Sequence, residues 1–233
     1  MIDDKNLTEL GKETIRQIAK PVQEFISALI GEPTKELGGW VADGIRGKRF
    51  ETQIKIYTKA QQLTSDAGLS PHSINLKILI PLLENGSLES NEDVADMWAH
   101  LLANASISDS IRSSYVTILG ELEPIEAKIL QYIFIEFNKR HGFNFEPTNE
   151  YAGSIEGALI QRVFQLDNAE FERSIDNLFR VRLLAPTASR LEFLDDKETP
   201  FAHYTKKQLG VTYLGYYFAK ACNSLHVDKD KEE

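Results

Sequence analysis

Five histidines, His72, His100, His141, His203 and His226, are the residues best suited to metal binding or proton transfer in this chain. Their spacing serves neither purpose: no His-Glu-x-x-His occurs, and no second histidine stands three or four positions from any of them. His100, within Trp98-Ala99-His100-Leu101-Leu102, reads as a partly buried helical residue. The carboxylate pairs Glu92/Asp93 and Asp195/Asp196 have the composition of an acid/base pair. The first suits the start of a helix and the second a charged loop, so neither predicts catalysis. Cys222, the single cysteine, can form no internal disulfide and no cysteine-based metal site. It lies in the run from Tyr213, expected to be helical and half buried, and reads as a structural thiol in a reducing cytoplasm. Neither a phosphate-binding Gly-x-x-x-x-Gly-Lys-Ser/Thr nor a Gly-x-Ser-x-Gly elbow is present. The residues therefore predict no catalytic group, no cofactor and no metal ligand, and a protein that is not an enzyme.

The elements around these residues read as helices. The chain has 233 residues, 42% hydrophobic and 26% charged, enough to bury one large core or two small ones. A formal net charge of -9 argues against nucleic-acid binding through bulk electrostatics and leaves room only for a local basic patch. The N-terminal residues lack the pattern of a secretory signal, and no window approaches the roughly 20 apolar residues of a membrane span. A cytoplasmic protein is expected, with peripheral contact at the inner membrane as the alternative.

From Leu7 to Ile30 apolar positions keep helical spacing, and Gly31 and Pro33 end the helix. A second helix is predicted from Thr34 to about Leu63. Gly38, Gly39, Gly44 and Gly47 crowd its first half, each an interior glycine that disfavours a helix by up to about 1 kcal/mol. Close packing around Trp40, Val41 and Ile45 explains them; a hinge or membrane-inserting hairpin is the alternative. Gly38, Gly39, Trp40, Gly44, Arg46, Lys48 and Arg49 are the candidate interaction or membrane surface. Further along, Lys55 and Lys59 continue the basic face, whereas no Lys or Arg occurs between Lys77 and Arg112. Glu84, Glu89, Glu92, Asp93 and Asp96 fall in that gap. Faces of opposite charge predict packing within the domain or between two copies of it.

Pro71 to Ser106 is the most organised stretch. Ile74, Ile78 and Pro81–Leu82, with Leu76, Leu79, Ile80 and Leu83, predict a helix apolar nearly all round and therefore buried. Ser90 or Asn91 can cap the next helix, on which Val94, Met97, Trp98, Leu101 and Leu102 form one stripe. The pattern of an apolar helix with internal proline, Leu83-Glu84-Asn85-Gly86-Ser87-Leu88-Glu89 and then Met97-Trp98-Ala99-His100-Leu101-Leu102-Ala103-Asn104-Ala105 resembles the abortive infection alpha family of bacteria. Pro33-Thr34-Lys35-Glu36-Leu37-Gly38-Gly39, the Asp43–Phe50 stretch and Tyr115–Leu130 are similar to its flanking segments. The resemblance covers roughly residues 20 to 135 and, more loosely, the last third. It implies a role in defence against phage and brings no active site with it.

The pattern changes character at Glu123–Pro124. We expect a helical N-terminal domain over 1–122, a winged-helix-like C-terminal domain with a small β-hairpin over 123–226, and a solvated tail over 227–233. In the second domain Pro124 sits at a first helical position beside Glu123 and Glu126, opening a helix from Ile125 to Arg140. His141–Gly153 reads as a loop, Ile155–Leu166 and Asn168–Arg180 as helices, and Thr212–Leu225 as the last helix. Leu183–Pro186, Leu191–Leu194 and Gln208–Val211 read as short strands. Arg173, Asn177, Arg180 and Arg182 are the candidate recognition helix. Glu172 and Asp176 on that helix, and the acids near Asp195, favour packing or protein contact over DNA. The expected function is non-enzymatic phage defence through a protein partner or self-association. The alternatives are a membrane-acting toxic effector and a DNA-binding regulator.

Overall fold

The computed structural model describes residues 24–25, 27–29, 48–141, 151–186 and 208–225. It is mainly helical with one small antiparallel sheet of three strands. The chain divides into two compact units, Met1–Gly120 with Ala221–Glu233, and Glu121–Lys220.

In the first unit α1 (Lys48–Asp66), α2 (Leu76–Gly86), α3 (Glu92–Ile107) and α4 (Ser113–Glu121) follow one another. Helix α3 is the centre, touching both α1 and α2. Its apolar stripe is buried throughout: Val94, Met97, Trp98, Leu101 and Leu102 are all 2% exposed or less. Each such side chain removed from water contributes about 1.5–3 kcal/mol. Ala99, Ala103 and Ala105 are buried too, and their small volume lets neighbouring backbones come close. Asn91, not Ser90, caps the helix, its Oδ1 accepting from the N–H groups of Asp93 and Val94. The start of α2 differs from the expectation of an all-round buried helix. Asn75 caps it, so Ile74 lies before the helix, and Leu76 is 41% exposed. Only the face with Leu79, Leu82, Leu83 and Gly86 is buried, and Pro81 is carried inside the helix. Ahead of these elements Phe25 and Leu29 are buried, and the Leu29 carbonyl accepts from Ile74 N–H at 2.7 Å. Gly38, Gly39, Trp40, Gly44 and Arg46 lie outside the described residues.

The last helix, α8 (Tyr213–Asn223), ends in a clamp. Asn104 is fully buried, and its Nδ2 donates to the carbonyls of Ala221 at 2.8 Å and Ser224 at 2.7 Å. A helix leaves its last carbonyls without intrahelical donors, and here a side chain from α3 supplies one.

The second unit contains α5 (Pro124–His141), β1 (Tyr151–Glu156), α6 (Gly157–Phe164), α7 (Asn168–Arg180), β2 (Leu184–Pro186) and β3 (Gln208–Thr212). Strand β3 is central, with the order β1-β3-β2. Strands β2 and β3 answer to the two expected at Leu183–Pro186 and Gln208–Val211. Leu191–Leu194 lies outside the described residues. Strand β1 corrects the expectation of a simple hairpin, because it occupies the end of the predicted loop and the start of the predicted helix. Ala, Gly and Ser have little intrinsic preference for a strand. Pairing of Gly153–Glu156 with Gln208–Val211, more than fifty residues away in sequence, makes it one. Gly153 marks a shift of register, has φ +156° and lies against the Phe137 ring, where a Cβ would collide.

Helix α7 begins and ends where its sequence says, with Asp167 accepting from Glu170 N–H at 2.8 Å. Its C-terminal turn is a Schellman motif: Arg182 N–H reaches Phe179 O at 2.9 Å and Leu183 N–H reaches Leu178 O at 3.0 Å. Arg182 therefore holds φ +61°, a conformation that glycine adopts with less strain. Arg182→Gly is expected to stabilise the chain by about 1 kcal/mol. A rise in the urea midpoint at unchanged m-value would show it, and a lower midpoint would mean that the arginine side chain contributes more than the strain.

Candidate functional site

Two polar clusters bring together residues that carry charge or hydrogen-bonding capacity. The first lies along α1 and α3. Lys55 Nζ stands 3.6 Å from Glu92 Oε1, and Lys59 Nζ pairs with Asp96 Oδ2. Both pairs advance by four residues in the same sense, so the two helices run parallel along this seam, with rungs about 6 Å apart. The basic face of α1 is thus met by the acidic start of α3 within one unit. Lys48 and Arg49 are the first residues of α1, and their backbone alone is described. His100 follows Asp96 by one turn, half-buried, with Nδ1 2.9 Å from the Asp96 carbonyl oxygen. Burial holds its imidazole below the ordinary value, and the Lys59 charge acts in the same direction; the bond to Asp96 and its carboxylate oppose them.

The second cluster joins the start of α5 to α7. Glu126 is 4% exposed, and its Oε2 accepts from Glu123 N–H at 3.0 Å and from Asn177 Nδ2 at 2.5 Å. The first of these has the geometry of the backward half of a capping box, with Glu123 in place of the Ser, Thr, Asp or Asn of its sequence signature. Asn177 also donates to Glu121 O at 3.3 Å and accepts from Arg180 Nε at 2.8 Å. Arg180 in turn forms an ion pair with Glu121 at 2.8 Å. Burial pushes the Glu126 carboxyl up, against the hydrogen bonds from Glu123 and Asn177 and the Arg180 charge; the Glu123 charge adds to the rise.

Of the candidate recognition residues, Asn177 and Arg180 are therefore brought together and bonded to carboxylates at the start of the same unit. Arg173 lies one turn before Asn177, exposed on α7, and Arg182 is exposed at the turn beyond the helix. Glu121 carries the cluster without any local sequence signal, because its partners lie more than fifty residues on. Glu126→Ala is expected to lower stability by about 1–3 kcal/mol. In a double-mutant cycle with Asn177→Ala the loss in the double variant should fall short of the sum of the two single losses; simple additivity would mean that the pair is not coupled.

Among the described residues no group of three or more His, Cys, Asp and Glu side chains could hold a metal ion. None of the described helices is long and apolar enough to cross a membrane. Cys222 is buried, and burial pushes its thiol far above the ordinary range, as befits a packed side chain rather than a nucleophile.

These features define a mainly helical protein with a small antiparallel sheet, its polar clusters tying helix to helix. The abortive infection alpha family matches residues 49–222, most of the chain, and the chain belongs to that family. Membership implies a part in abortive infection, a defence against phage. No curated protein and no solved structure matches the chain.

Proposed function

We propose that this chain is a non-enzymatic phage-defence protein of the bacterial cytoplasm that acts through protein contacts. Its second unit we read as a winged-helix-like module used for packing or partner binding instead of DNA reading. The order α5, β1, α6, α7, β2, β3 with β3 in the middle of the sheet supports the module. One observation favours protein over DNA. The helix that would enter a groove has Asn177 and Arg180 engaged with Glu121 and Glu126. Phosphate contacts supply most of the affinity for DNA, and every cation already paired is one fewer to offer.

Two measurements on the full chain test this reading. Inducible expression in bacteria, with growth and entry of an impermeant dye followed together, is expected to give normal growth and no dye entry until phage is added. Growth arrest with dye entry in uninfected cells would replace it by a membrane-acting effector working through residues 38–49. Anisotropy of a labelled DNA duplex at about 150 mM salt should show no binding tighter than the non-specific range of about 10⁻⁴–10⁻⁶ M. Tighter, salt-dependent binding lost in Arg173→Ala with Arg180→Ala would make it a DNA-binding regulator.

A further inference from the structure

Helix α2 turns two different faces to its surroundings. Leu79, Leu82, Leu83 and Gly86 are buried in the first unit, where α2 meets α1 and α3. On the far side Lys77, Ile80, Pro81 and Glu84 follow one another at helical steps of three, one and three and so form a single stripe. Lys77 and Glu84 are exposed, and Ile80 and Pro81 are half-buried. No ion pair among the described residues engages either charge. Leu76, 41% exposed, and Leu88, 58% exposed, flank the stripe in sequence. Both charges are misplaced for their own helix. Lys77 stands in the first turn and Glu84 in the last, whereas the macrodipole favours an acid at the start and a base at the end, and α2 has neither.

We propose that this stripe is a docking face for a second copy of the chain, with the two α2 helices lying antiparallel about a two-fold axis. The stripe is complementary to its own reverse. An axis between Ile80 and Pro81 sets Lys77 of each copy opposite Glu84 of the other, because both residues lie about 5 Å from it along the helix. A parallel pair would set like charges together. The antiparallel pair also reverses the mismatch with the dipole, since each lysine comes beside the negative end of the partner helix and each glutamate beside its positive end. Pro81 loses no side-chain freedom when it packs against Ile80 of the partner subunit. The contact is small: one face of a helix of 11 residues is about 16 Å by 10 Å, and two such faces bury less than the roughly 1,200 Å² of a stable interface. The dimer is therefore a weak one that forms as concentration rises. It stands apart from the proposed function, because the face belongs to the first unit and needs nothing that the second unit binds.

Sedimentation equilibrium of the full chain from about 10 to 500 μM tests the pairing. The wild-type protein is expected to shift from monomer towards dimer across that range. Lys77→Glu and Glu84→Lys each turn two attractions across the axis into two repulsions, and each should raise the dissociation constant by about tenfold or more. An equimolar mixture of the two variants should associate more tightly than either alone. In the mixed dimer the two substituted positions meet with opposite charge, and so do the two native residues. Both substitutions bring α2 into agreement with its own dipole, so weaker association does not report a weakened helix, and an unchanged circular dichroism spectrum verifies the fold. A wild-type chain that stays monomeric throughout would overturn the proposal and leave the face to a different protein. So would a dimer that neither substitution weakens, or a mixture that associates no better than its components.

Discussion

Gly215→Ala is expected to lower the stability of the chain by about 3 kcal/mol or more, the upper end of what one added methyl group does in a packed interior. At about 2–4 °C per kcal/mol for a chain of this length, the fall in melting temperature is roughly 10 °C. The reason is a close approach of two backbones. Gly215 is in the first turn of α8, where a Cβ would be driven into the Leu183 carbonyl oxygen. That oxygen accepts from Thr212 N–H at 3.2 Å, and Thr212 Oγ1 donates to Arg182 O at 2.6 Å while accepting from Gly215 N–H at 2.9 Å. The N-cap of α8 is thus stitched to the turn that follows α7, so neither backbone can yield without breaking the other's bonds. Differential scanning calorimetry decides the matter: a melting temperature within about 2 °C of wild type would show that α8 can back away from Leu183 at little cost.

Asn104→Asp is the second large effect. The asparagine amide gives hydrogens to two carbonyls, whereas a carboxylate in its place would face both with negative charge in a fully buried position. A loss of about 3–5 kcal/mol is expected, the cost typical of a buried charge left without a partner. Asn104→Leu should be milder, because it leaves two carbonyls unsatisfied and buries no charge. Urea unfolding followed by circular dichroism gives the order wild type, Leu, Asp in falling midpoint. An aspartate variant as stable as the leucine one would mean that solvent reaches the clamp.

Both sites bear on what can be read before folding. Gly215 and Asn104 look ordinary in sequence, a glycine among aromatic residues and an asparagine among alanines, because their partners lie about thirty and more than a hundred residues away. The helices behaved differently. The Val94, Met97, Trp98, Leu101 and Leu102 stripe and the cap offered by Ser90 or Asn91 are local signals, and each appears in the structure where the pattern puts it. The expected meeting of the basic α1 face with acids from Glu92 onward was legible as well, since opposite charges at four-residue spacing identify complementary faces.

By itself, then, the amino-acid sequence determined the helical class, the buried stripe of α3 and the family, all of them properties of local spacing or of a linear signature. Only the tertiary structure decided that Tyr151–Glu156 is a strand, since its pairing with β3 supplies what its small residues lack. It alone decided that Asn177 and Arg180 spend their hydrogen bonds on Glu121 and Glu126. The same is true of Lys59, which pairs with Asp96 because α1 and α3 run side by side. In each case the partner comes from a distant part of the chain, and chemistry that depends on such convergence has no period or spacing in the sequence to announce it.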